Sequence, residues 1–130
     1  MSTADREVLD AAAALLDAFA RHDTAAYFAC FAPDATFLFH TADGLLPNRA
    51  AYEAEWAAWE ADGFAVLGCT SSDQAVSQVS DTVAVFTHAV RTRVRSGGAE
   101  EDLDERESIV FRREDDGSWL GVHEHLSARS

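Results

Sequence analysis

The last quarter of the chain, Glu105 to Ser127, reads ERESIVFRREDDGSWLGVHEHLS and restricts the fold more than any other stretch. Two runs of alternating character, Arg106 to Arg113 and Ser118 to Leu126, flank Asp115-Asp116-Gly117. Alternation is the period of a strand, and glycine accepts the positive φ of a tight turn, so the stretch predicts an antiparallel hairpin. A lone hairpin is barely stable in water, so the residues upstream must cover its apolar face.

At 130 residues the chain fits one domain with one core. A hydrophobic content of 48% with 25% charged residues belongs to a globular protein, and disorder is not expected. The net charge of −13 repels polyphosphate and anionic membrane surfaces, which argues against nucleic acid or membrane as a partner. It fits either attraction of a cationic partner or plain solubility. Cys30 and Cys69 lack metal-ligand spacing and are expected to be reduced. Early acids at Asp5 and Glu7, no signal-peptide pattern and no membrane-length apolar run point to the cytoplasm.

From Asp5 to His22, Val8, Leu9, Ala12, Leu15, Leu16 and Phe19 recur at helical spacing, with Ser2 or Thr3 as cap. Thr24 to Phe31 reads as a short second helix with Tyr27, Phe28 and Phe31 inward, closed by Pro33. Ala35 to Thr41 is rich in strand formers and ends at Asp43-Gly44. A third helix runs from the cap Asn48 to Gly63, with Tyr52, Trp56 and Trp59 on one stripe. Phe64 to Val79 is a strand region interrupted around Ser71-Ser72-Asp73, Thr82 to Arg95 a long strand, and Gly97-Gly98 a turn. Helices followed by hairpins predict an α+β fold, three helices packed on one face of a curved, mainly antiparallel sheet.

Two segments, ARHDTAAYFACFAPDATF (Ala20 to Phe37) and ESIVFRREDDGSWLGVHEHLS (Glu107 to Ser127), carry a family resemblance. The chain resembles the nuclear transport factor 2-like superfamily, in particular SnoaL-like bacterial domains. Its ending is similar to that of the calcium/calmodulin-dependent kinase II association domain at Arg112-Arg113, Asp116-Gly117, Trp119, Val122-His123, His125 and Ser127. The resemblance implies a single SnoaL-like domain over residues 1–130, a cone enclosing a pocket, and a homodimer. It does not fix a reaction, since the superfamily includes isomerases, cyclases, dehydratases, carriers and association domains. In its steroid isomerases the base would fall near Phe39, the oxyanion-hole tyrosine near Leu15 and its acidic partner near Ile109. All three positions are apolar here, so that enolisation is not expected. The association domain's pocket arginines also have no clear counterparts.

If Asp116-Gly117 and Gly97-Gly98 are two-residue turns, adjacent strands share faces. One face gathers Ala84, Phe86 and His88 with Glu107, Ile109 and Phe111, and then Leu120, Val122, Glu124 and Leu126. The other carries Val85, Thr87, Ala89 and Arg91 with Arg106, Ser108 and Val110, and then Trp119, His123 and His125. The first is the more apolar and is assigned to the interior. Glu124 and His88 are the candidate acid and base there. Glu107, Tyr52, Trp56, Phe39, Phe86, Ile109, Phe111 and Val122 are the candidate lining of a pocket for a small apolar molecule. The aromatic stripe Tyr52, Trp56 and Trp59 also fits plain core.

The functional expectation is therefore binding of a small hydrophobic metabolite, or acid/base chemistry on it as a cofactor-independent isomerase, cyclase or lyase. The alternative is a non-catalytic dimerisation module, joined through Trp119, His123, His125 and Val110 on the outer face. His123-x-His125 lacks a third ligand, so no metal is expected. His40 ends strand one, at the cavity mouth or in solvent, and His22 is expected in solvent at a helix end. Arg91, Arg93 and Arg95 face Asp104, Asp102 and Glu100 in an ion-pair ladder at a solvated hairpin tip, to which Glu101 and Glu105 add charge. A one-residue bulge in the last hairpin would exchange Glu124 with the histidines as interior groups.

Overall fold

The computed structural model describes residues 1–129. Its elements are α1 (Thr3–Ala20), α2 (Thr24–Ala29), β1 (Phe31–Phe39), α3 (Arg49–Ala61), β2 (Ala65–Ser80), β3 (Val83–Ser96), β4 (Ala99–Arg113) and β5 (Trp119–Ala128). The strands form one sheet in the order β1-β5-β4-β3-β2, antiparallel except for the β1–β5 pair. Helix α1 lies across β2 and β3, and α3 against β1.

Local chemistry sets the helix ends. Ser2 Oγ accepts from Asp5 N (3.0 Å), Asp23 caps α2, and Asn48 Oδ1 accepts from Ala51 N (2.8 Å). Gly63 ends α3 with φ +93°, a conformation that glycine adopts without a Cβ clash. The apolar stripe of α1 buries Val8, Ala12 and Leu15, and α3 buries Tyr52 and Trp56. Among the described residues no helix is long and apolar enough to cross a membrane. Both cysteines are free thiols, and burial pushes Cys69 up to about 11.

Strand β1 begins at Phe31, earlier than the expected Ala35, and α2 stops at Ala29. Pro33 sits within β1 where its register against β5 shifts, between Phe31 opposite Gly121 and Thr36 opposite His123. A proline on an edge strand removes only one ladder donor, so it is tolerated there. The interruption in β2 is a register shift between Ser72 and Ala75, with Asp73 at φ +54°. Register along the β3–β4 hairpin is as expected, with Phe86 opposite Ile109, His88 opposite Glu107 and Arg93 opposite Asp102.

The last hairpin differs in two places whose effects cancel. Its loop spans Glu114 to Ser118, held by Glu114 N to Ser118 O (2.7 Å) and Gly117 N to Glu114 O (2.9 Å), so Arg113 rather than Glu114 pairs with Trp119. A bulge at Val122 then restores the register, and Glu124 lies opposite Ile109 as expected. Only the segment between loop and bulge is turned over. Trp119, expected outside, is buried in the core, and its Nε1 donates to Glu7 Oε1 on α1 (3.2 Å). Val122, expected in the pocket, is half-buried beside His123 and lines no cavity wall. Gly121 permits this crossing, since a Cβ there would meet the Phe31 ring at 2.7 Å.

Candidate functional site: an acidic cavity under the helices

Between the helices and the concave face lies a partly open cavity of about 100 Å³. Leu15, Leu16 and Phe19 of α1, Tyr27 of α2, and Tyr52, Trp56 and Trp59 of α3 form one side, continued by Phe64. Phe39, Val90, Thr92, Leu103 and Leu126 line the sheet side, together with three carboxyl groups, Glu105, Glu107 and Glu124. Phe86, Ile109 and Phe111, expected in the lining, are fully buried in the core instead. That end of the sheet is packed solid, with the Phe31 ring against Phe37 (5.1 Å) and Phe86 near Phe111 (6.5 Å).

Glu124 is only 3% exposed. Tyr27 OH donates to its Oε1 at 3.4 Å and stands 2.9 Å from Tyr52 OH, while Oε2 has no hydrogen-bond partner. A hydroxyl has one proton to give, so the chain runs from Tyr52 through Tyr27 to Glu124. Burial first, and the neighbouring Glu107 carboxylate second, push the Glu124 carboxyl well above its ordinary range. Burial first, and Glu124 second, also push both phenols well up, so they act as neutral donors.

The other two acids are each held by an imidazole. His88, with no exposed side-chain surface, places Nε2 2.7 Å from Glu107 Oε1 and Nδ1 2.7 Å from Ser71 Oγ. A carboxylate only accepts, so Nε2 carries the proton; in the neutral ring Nδ1 accepts from Ser71, whose oxygen also takes a bond from Gln74 Nε2 (2.9 Å). His88 thus stands behind Glu107 and away from the cavity wall. Glu105, expected at the solvated tip, is 4% exposed and meets His40 Nε2 at 2.5 Å. His40 is fixed by its backbone N bonding Leu126 O (3.2 Å). Burial raises the Glu105 carboxyl, and His40 opposes the rise. Strand alternation from Glu107 was the signal that would have found Glu105.

His22 is also structural. Its Nδ1 accepts from Val66 N (2.9 Å), its Nε2 donates to Glu60 Oε2 (2.7 Å), and its ring stacks on Trp56 at 5.0 Å, joining α1, α3 and β2. On the outer face His123 Nδ1 meets Thr36 Oγ1 at 2.8 Å, and its ring lies 6.4 Å from that of His125. Burial, then the charge of His125, lowers the His123 pKa. Among the described residues no group of three or more His, Cys, Asp or Glu is placed to hold a metal ion.

The family model for the SnoaL-like domain matches residues 8–129, nearly the whole chain. The chain belongs to the SnoaL-like domain family. Solved structures share its nuclear transport factor 2-like fold. A ketosteroid isomerase-like protein from Erwinia carotovora atroseptica is 18% identical, with a TM-score of 0.88 over 100% of this chain and 99% of the other. The CaMKII hub homology domain of Chlamydomonas reinhardtii is 25% identical, with a TM-score of 0.77 over 99% and 100%. ActVI-ORFA from Streptomyces coelicolor is 21% identical, with a TM-score of 0.77 over 98% of each chain. No curated protein matches the sequence. In this SnoaL-like domain the positions aligned above with the steroid isomerase's base and tyrosine, Phe39 and Leu15, form apolar cavity wall, and the acids stand elsewhere.

Proposed function

We propose that this SnoaL-like domain takes a small hydrophobic metabolite into the cavity and acts on it by acid/base chemistry without a cofactor, as an isomerase, cyclase or lyase. The observation that carries the reading is Glu124, an acid buried in an aromatic cavity with one oxygen left unpartnered. A carboxyl kept protonated by an apolar site is a proton donor at neutral pH, and Glu107 beside it is a proton acceptor. His88 is a positioning residue, orienting Glu107 from behind. The test is the Glu124 side-chain carboxyl resonance, assigned against Glu124→Gln and followed during titration with a neutral apolar probe such as indole. The expected result is a saturable shift. A resonance that does not respond up to the solubility limit, or a response unchanged in a cavity-filling Leu16→Trp variant, sinks the reading.

A second reading, self-association, draws on the likeness to a CaMKII hub homology domain. The outer sheet face, with Val110, His123 and His125, is the surface for a homodimer. Trp119 drops out of that set because it is spent on the core. Sedimentation should give a dimer that Val110→Glu dissociates. Cytoplasmic residence fits the two free cysteines.

A further inference from the structure

The three cavity acids are not equivalent, and the difference indicates what the cavity takes. Glu105 and Glu107 each have a histidine within hydrogen-bonding distance. Glu124 has no basic partner: tyrosine hydroxyls approach one oxygen, the carboxyl of Glu107 can share its proton, and Oε2 is buried without a hydrogen bond from any N–H or hydroxyl donor. Among the described residues lining the cavity none is lysine, arginine or histidine. The aromatic rings of Phe19, Tyr52, Trp56, Trp59 and Phe64 line the same cavity. Carboxyl groups ringed by aromatic π-systems, with no internal cation, are complementary to one kind of small molecule. Resting on the ligand-pocket reading above, we propose that the ligand is a protonated organic amine, its ammonium group against Glu124 Oε2 and its apolar body against the aromatic wall.

A cation supplies the partner that Glu124 lacks, and it is attracted further by the protein's net charge of −13. Binding then carries a definite proton linkage. The titratable groups facing Glu124 are Tyr27 of α2, Tyr52 of α3, and Glu105 and Glu107 of β4, the last two backed by His40 and His88. Both phenols stay neutral, so Glu124 is the group whose ionisation an ammonium ion favours. An amine therefore displaces the Glu124 proton and binds more tightly as pH rises. A neutral ligand that accepts a hydrogen bond from protonated Glu124 shows the opposite slope.

The experiment compares benzylamine, benzyl alcohol and benzoate, three probes of one shape and three charges, by chemical-shift titration of the whole chain from about pH 5 to about pH 8, where benzylamine stays protonated. Benzylammonium should bind about tenfold or more tightly than benzyl alcohol, and its affinity should increase with pH. Glu124→Gln should bring it to the level of the alcohol and abolish its pH dependence. The pH slope of the unsubstituted protein decides the matter even if the variant does not fold. Equal or tighter binding of benzyl alcohol, a preference for benzoate, or amine affinity that falls with pH overturns the amine assignment and leaves the pocket reading standing. Binding of none of the three overturns both.

Discussion

Strand β4 carries its acids between Glu100 and Glu107, and the hairpin end and the middle of the strand treat them in opposite ways. At the Gly97-Gly98 end, Glu100 and Asp102 lie in solvent beside Arg93, at 3.1 and 3.0 Å, and Asp104 lies 3.9 Å from Arg91. A few residues on, Glu105 and Glu107 turn under the helices and meet His40 and His88. Residue type is the same, but partner and solvent are not. At the tip, water screens every charge, so a guanidinium adds little. Under the helices each carboxyl has left water, and what it faces decides its proton. Composition counts both sets equally in the net charge, yet only the inner set has left water.

Removing an inner partner tests this contrast most severely. His88→Ala leaves Glu107, only 9% exposed at its side chain, without its donor and frees Ser71 Oγ as well. The cost should be about 3–5 kcal/mol, the range for breaking a buried pair on one side. Urea unfolding measures it, and a loss as small as that of a surface substitution would mean that water reaches Glu107.

The same contrast marks how far sequence reasoning reaches. Alternation and the Gly97-Gly98 turn pair His88 with Glu107, because register follows from period and loop length, whereas Glu124 lies opposite Ile109 only because the longer last loop and the bulge at Val122 cancel. Glu105 looks like part of the acidic tip in the sequence because nothing in β4 says where the helical side begins to cover it; in the fold it lines the cavity with Leu103. Trp119 and Val122 were exchanged because a five-letter loop and a bulge look like ordinary alternation in one dimension. The signal was Gly121, the strand glycine that makes room for Phe31. Phe86, Ile109 and Phe111 have the right face but the wrong depth, which periodicity cannot supply.

Glu124→Gln sharpens the comparison with an effect of opposite sign. The folded-state pKa of Glu124 lies above its unfolded value, so the folded chain holds the proton more tightly. Stability is then greatest below the unfolded pKa and falls as pH rises towards the folded one. Glutamine is neutral throughout and keeps an oxygen for Tyr27. The variant should match the parent in acid and exceed it at neutral pH by on the order of 1 kcal/mol, raising Tm by about 4 °C. Thermal unfolding across pH checks this; a variant equally or less stable at neutral pH would mean that Glu124 is ionised and well solvated in the fold.

At the outer end the expected effect is the smallest. Arg93 makes the two shortest contacts of the tip ladder, with Glu100 and Asp102, and its side chain is half exposed. If contact geometry alone set the energy, Arg93→Ala would rank with His88→Ala, since the distances in the two pairs differ by only a few tenths of an ångström. Solvent sets the difference instead: the acids freed at the tip are rehydrated at once, whereas Glu107 is not. The midpoint of urea unfolding should therefore stay within experimental scatter for Arg93→Ala, at low salt and high salt alike. A loss approaching that of the inner variant would show that the hairpin tip is covered in solution, and would move the search for a partner surface from the middle of the sheet to its end.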